Sequence, residues 1–133
     1  MSSTRGIRNC NPGNLRLSKD KWKGLREEQT DKDFFQFTEM KWGYRALFIT
    51  LRNYRKKWDC WPIRDFISRW APPTENNTES YIKTVCNQMG VPDMWCPDVN
   101  DEDTMIAFAK AISFVENGRK AVDKEVEEGW RLI

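Results

Sequence analysis

From residue 38 onward, apolar side chains return every three or four positions, the period of a helix with one buried face. Met40, Tyr44, Leu47, Leu51, Tyr54 and Trp58 make the first such stripe, with Arg45, Arg52, Arg55, Lys56 and Lys57 mostly on its solvent side. Thr38 is placed to cap this helix, and Glu39 lies favourably against its dipole. Pro62 suits a first helical position, and Ile63, Phe66, Ile67 and Trp70 follow as a second, shorter stripe that stops at "APP". A third stripe runs from about 77 to 89, with Tyr81, Ile82, Val85, Cys86 and Met89 inward and Gly90 as terminator. A fourth starts with Asn100 as cap and Asp101, Glu102 and Asp103 in its first turn. It carries Met105, Phe108, Ala109 and Ile112, and ends near Val115 or Glu116. A fifth helix is expected over about 122–132.

Before residue 38 that period is absent. "NPGNLRL" and "DFFQF" are short runs of β-formers bounded by Asn, Pro, Gly and Asp, with "SKDKWKGL" between them, a pattern that predicts an irregular hairpin or small sheet. The expected fold is therefore mainly α with a small N-terminal β element, one domain over 1–133. Internal repeats, low-complexity tracts and linkers are absent from the sequence.

A chain of 133 residues can bury a core without metal or disulfide staples. It has no apolar run near the roughly 20 residues of a membrane span, and "MSSTRGIRNC" lacks the hydrophobic stretch of a secretory signal. Synthesis in the cytoplasm follows as the expectation. Cys10, Cys60, Cys86 and Cys96 form no C-x-x-C pair, and histidine is absent, so neither a metal site nor a cofactor is expected. Four reduced thiols are the default, with disulfides open if the destination is oxidising. Without an imidazole partner for a nucleophile, acid–base chemistry falls to Asp, Glu, Lys or Tyr.

Residues 1–70 hold 16 Lys and Arg against 8 Asp and Glu, whereas residues 71–133 hold 6 against 12. A basic first half fits an anionic polymer, nucleic acid or wall polymer, as well as simply solvated helix faces. No helix-turn-helix with a basic second helix and no aromatic sheet motif accompanies it, which argues against nucleic acid.

The fourth stripe continues into Glu116, four residues beyond Ile112. Partial desolvation and the negative end of a helix both favour the protonated form of a carboxylic acid, which is the form a glycosidase acid needs. Fraying into water, or a neighbouring Arg, would cancel that role.

"AISFVENG" resembles the catalytic helix of lysozyme-like lytic transglycosylases, with its glutamate followed by a small polar residue and Gly. In that family a loop and small sheet rich in Asn, Gly and Gln follow the glutamate helix, and a Glu-Thr-x-x-Tyr-type segment comes late. Here "RNCNPGNLR" and "FFQF" come first, "ENNTESYIKTV" resembles the late segment, and the glutamate helix comes last. The order is that of a circularly permuted lysozyme-like fold. The chain is similar to small phage-type virion-associated proteins, often labelled structural, that begin "RGIRNxNPGN" and contain "RWAPPxEN". The resemblance covers about residues 5–130 and departs at Cys10, where Asn is more usual.

The resemblance implies a peptidoglycan-degrading enzyme that cleaves between N-acetylmuramic acid and N-acetylglucosamine, as a lytic transglycosylase or muramidase, with Glu116 as general acid and base. In the former the sugar's C6 hydroxyl attacks; in the latter a second carboxylate orients water. Of Asp33, Glu39 and Glu75, Glu75 is the best second carboxylate, though it could instead order the start of the third helix. Asn11, Asn14, Gln36 and Tyr81 have the amide and phenol chemistry that binds acetamido and hydroxyl groups. Each also has a structural alternative: turn-shaping for Asn11 and Asn14, an edge-strand surface for Gln36, the core for Tyr81. Trp22, Trp42 and Trp70 could stack on sugars but are set aside as packing residues. The implied partners are glycan strands of the bacterial wall, and a phage virion or secretion apparatus that carries the protein to the periplasm. A structural virion or secretion-apparatus part without chemistry is the rival reading.

Overall fold

The computed structural model describes residues 3–133. Its helices are α1 (Arg5–Arg8), α2 (Met40–Trp58), α3 (Ile63–Trp70), α4 (Thr78–Met89), α5 (Glu102–Asn117) and α6 (Asp123–Arg131). The five helices expected from periodicity are all present, preceded by the short α1. Their stripes meet in one core of Tyr44, Leu47, Leu51, Ile63, Phe66, Ile67, Val85, Met105, Phe108 and Ile112, all essentially inaccessible to water. Helix α6 lies along α2, α4 packs on both α3 and α5, and α5 and α6 touch. The α2–α6 approach is close because Gly129 has no side chain: a Cβ there would stand 2.5 Å from the Cβ of Tyr44. Tyr44 is in turn tied to α5 by its hydroxyl, which lies 3.0 Å from Ser113 Oγ. Burial raises the Tyr44 phenol to about 12, so it remains a neutral hydrogen-bonding group.

Helix ends differ from expectation in detail. Asn77 caps α4 by accepting from Ser80 N, and Gly90 and Gly118 close α4 and α5 in the left-handed conformation. The cap of α5 is Asp101, which accepts from Thr104 N, rather than Asn100. Thr38 does not cap α2. Its hydroxyl and its N–H both bond Gly24 O, which anchors the preceding loop instead. Pro62 is the residue before α3 and not its first turn.

The N-terminal segment is the main correction. Among the described residues it holds no β-strand, only isolated antiparallel bridges, Arg16 with Phe34 and Leu25 with Phe37. Residues 33–37 are served by backbone from several directions: Phe35 N bonds Leu15 O, Phe37 N bonds Asn9 O, and Arg26 N bonds Gln36 O. A ladder needs successive extended residues on both sides, and left-handed residues at Cys10, Asn14 and Gly24 turn the partner chain away too soon. At Cys10 this is the conformation that Asn tolerates better than most side chains. A small core of Phe35 and Phe37 with Leu15, Trp22 and Leu25 seats the loop on α2 through Trp42 and Ala46.

Candidate active site

A cleft of ≈ 300 Å³ opens between the N-terminal loop and the helices. Gly13, Asn14, Leu15, Arg16 and Phe34 form one wall, and Tyr54, Arg69, Trp70, Ala71 and Glu75 the other. Glu116, in the last turn of α5, also lines it.

The carboxyl of Glu116 is held from both sides. Asn14 Nδ2 donates to Oε1 at 2.7 Å and the Tyr81 hydroxyl donates to Oε2 at 2.8 Å. The two donors come from opposite bodies, one from the loop and one from α4. Tyr81 is buried, and that burial, reinforced by the Glu116 charge and the hydrogen bond to it, keeps the phenol well above its ordinary range. It is a permanent O–H donor, so the carboxyl cannot swing away without leaving a buried hydroxyl unpaired.

The neighbouring Asn117 locks this junction. Its amide donates to Pro12 O and Ser113 O, both at 3.0 Å, and its oxygen accepts from Thr4 Oγ1 at 2.7 Å. Helix α1 fits against it only because residue 6 is glycine: a Cβ there would stand 2.5 Å from Asn117 Oδ1. Gly13 likewise lies flat on the Trp70 ring, 2.5 Å from a Cβ to Cζ2. The same junction crowds Asn14, whose Oδ1 is buried without a hydrogen-bond partner among the described residues. Its left-handed backbone, φ 50°, aims the amide N–H at Glu116 at that cost.

The residues singled out from the sequence therefore separate. Glu116, Asn14 and Tyr81 meet directly. Glu75 lines the same cleft from the loop between α3 and α4, exposed and paired with Arg16 at 3.1 Å across the mouth. Asn11 and Gln36 are elsewhere. Asn11 is fully buried, donating to Leu15 O and Phe35 O at 3.0 Å each and accepting from Leu15 N at 2.9 Å. Gln36 accepts from the N–H groups of Thr30 and Asp31 and donates to Asn9 Oδ1. All their side-chain polar atoms are used within the loop, and neither residue lines the cleft. Asp33 is paired with Arg5, and Glu39 lies beside Lys41, neither of them in the cleft.

Arg16, Phe34, Tyr54, Arg69 and Trp70 line the cleft without having been chosen from the sequence. Trp70 was set aside as packing because it falls on the α3 stripe, yet its ring both packs on Tyr54, centroids 6.1 Å apart, and faces the opening. Trp22 and Trp42 belong to the loop's small core. Among the described residues no group of three or more His, Cys, Asp or Glu could hold a metal ion, and all four cysteines are free. The site offers a carboxyl with two fixed neutral donors, facing a cleft with aromatic and cationic walls.

Over 132 residues the chain is 39% identical to Protein P5 of Pseudoalteromonas phage PM2, covering 96% of this chain and 81% of the phage protein. The chain belongs to the Protein P5 family. No family model matches it. The shared region takes in nearly all of the described structure. No helix among the described residues is long and apolar enough to cross a membrane.

Proposed function

We propose that this protein is a peptidoglycan-cleaving glycosidase, of lytic transglycosylase or muramidase type, built on a circularly permuted lysozyme-like fold. The observation that carries this reading is the seat of Glu116: a helix-terminal carboxyl held by Asn14 and Tyr81 at the wall of a cleft with aromatic sides. Glu116 gives its proton to the oxygen bridging N-acetylmuramic acid and N-acetylglucosamine. The carboxylate left behind accepts from Asn14 Nδ2 and Tyr81 O–H, which stabilise it without moving. It then takes a proton from the attacking hydroxyl. If that hydroxyl is the sugar's own C6 group, no second carboxylate is needed. If it is water, Glu75 orients it after release from Arg16.

A phage relative accords with a wall-cleaving role in a virion, the protein reaching the periplasmic wall as a delivered component. It also fits a purely structural virion part. Nucleic acid is disfavoured as partner, because several cations of the basic half are spent internally: Arg5 on Asp31 and Asp33, Arg26 on Phe37 O and Arg8 O, and Arg55 on three backbone carbonyls. Digestion of purified peptidoglycan followed by mass spectrometry tests the enzyme reading. Anhydro sugars identify the transglycosylase and reducing sugars the muramidase. Intact glycan after prolonged incubation would leave the structural role.

A further inference from the structure

The charged side chains that line the cleft are not equivalent. Arg16 and Glu75 neutralise one another at 3.1 Å, and Glu116 is bonded by the neutral donors Asn14 and Tyr81. Arg69 has no such partner among the described residues. It forms no ion pair and no hydrogen bond, and is held instead by aromatic faces, its guanidinium carbon 3.7 Å from the Trp58 ring centroid and 5.5 Å from that of Tyr54. Trp58 in turn is 57% exposed at the end of α2, an unusual place for an indole. The other exposed tryptophan near it, Trp61, covers Arg55, but that arginine's donors are consumed by the carbonyls of Cys60, Trp61 and Pro97. Stacking without hydrogen bonding fixes the plane of a guanidinium and leaves its whole fork of N–H groups available to a planar anion.

We propose that Arg69 reads a carboxylate on the glycan, selecting a strand whose sugars carry an acid over a neutral one. The proposal rests on the glycosidase reading of this cleft and names the substrate group that the reading leaves open: the lactyl carboxylate of N-acetylmuramic acid. Two parallel N–H···O bonds from a pre-oriented fork fit such a group, and none of the other cleft side chains supplies an unspent cation for it. A chitin-type oligomer offers the same rings to Trp70 but nothing to Arg69.

Calorimetric titration of the Glu116→Gln protein, which keeps the ligand intact, compares a peptide-free tetrasaccharide of alternating N-acetylglucosamine and N-acetylmuramic acid with the neutral N-acetylglucosamine tetramer. The acid-bearing glycan is expected to bind about five- to tenfold more tightly at low salt, with the preference shrinking as salt rises. Adding Arg69→Gln should bring the ratio close to one, and Arg69→Lys should restore part of it, because the charge returns without the fork. Arg69 is exposed, so both variants should keep the parent's melting temperature, and the lysine variant carries the test should the glutamine one unfold. Equal binding of the two glycans, or a preference that survives Arg69→Gln, overturns the carboxylate role while the glycosidase reading stands. Binding of neither glycan overturns both.

Discussion

Asn11 and Gln36 in the loop ahead of α2, and Tyr44 and Leu47 on α2 itself, are all buried, but they are buried for different purposes. On the helices the backbone satisfies its own hydrogen bonds, and side chains are free to fill space. In the loop the backbone has no ladder, so two amide side chains supply the missing partners: Asn11 ties Leu15 to Phe35, and Gln36 ties residues 30 and 31 to Asn9. The helical region is held by apolar packing, the loop by buried amide hydrogen bonds added to a small apolar core, and the cleft lies where they join. The comparison explains why two asparagines only three residues apart do unlike work. Asn11 completes the loop, whereas Asn14 leaves its own oxygen unpaired to reach across the join to Glu116.

The join itself is the most sensitive place to break. Gly43 of α2 faces the carbonyl of Cys10 and the ring of Pro12 so closely that any Cβ would overlap backbone. Gly43→Ala is expected to cost about 3 kcal/mol, a fall of about 10 °C in melting temperature by calorimetry. Asn11→Ala comes next, at about 2–3 kcal/mol, since Leu15 N and Phe35 O lose buried partners. Asn14→Gly should change stability by no more than about 1 kcal/mol, because glycine accepts the left-handed backbone and only one hydrogen bond is lost. On the proposed glycosidase reading its effect falls on the rate of glycan cleavage, expected to slow about tenfold as Glu116 loses one of its two orienting donors. Equal stability losses for the two asparagine variants would erase the distinction between them.

The two regions should also fail at opposite ends of the pH scale. Asp31 accepts from the Arg5 guanidinium, Asn9 Nδ2 and the N–H groups of Asp33 and Phe34, and Arg5 above all holds its carboxyl far below the usual carboxylate range. A depressed folded-state value stabilises above the unfolded value of about 4 and is lost as pH falls further. The loop is therefore the acid-labile part, and Asp31→Asn should flatten the decline in melting temperature below about pH 4. Tyr44 behaves in the opposite sense. Its value is raised to about 12, so its contribution is complete below the unfolded value of about 10 and disappears as pH rises towards 12. Tyr44→Phe should flatten the alkaline decline and leave the acid one unchanged.

This division also governs what could be read from the chain. Periodicity locates α2 to α5 because apolar packing is written as a repeat, and the α5 repeat runs on into Glu116, whose expected role comes from the resemblance to the lytic transglycosylase helix. The loop's architecture has no such signature. Left-handed backbone at Cys10 and Asn14, and amides that replace a ladder, look in sequence like ordinary turn residues between β-formers. Asn11 and Gln36 carry the amide chemistry expected of a sugar-binding residue, but the structure turns those amides into the loop. Asn117 was overlooked although it follows Glu116 directly, because its partners are Thr4 and Pro12, more than 100 positions away. Arg69 and Trp58 are separated by a helix boundary, and nothing short of the α2–α3 corner shows that they stack.

In the proposed glycosidase one carboxyl, fixed at the join, does the chemistry. The most direct test is the initial rate of peptidoglycan clearance by the parent protein, Glu116→Gln and Glu75→Gln, each first shown by circular dichroism to be folded. The account predicts a loss of at least about 10²-fold for Glu116→Gln, and a much smaller loss for Glu75→Gln if the sugar's own hydroxyl is the nucleophile. A Glu116→Gln protein that clears the wall as fast as its parent would contradict it.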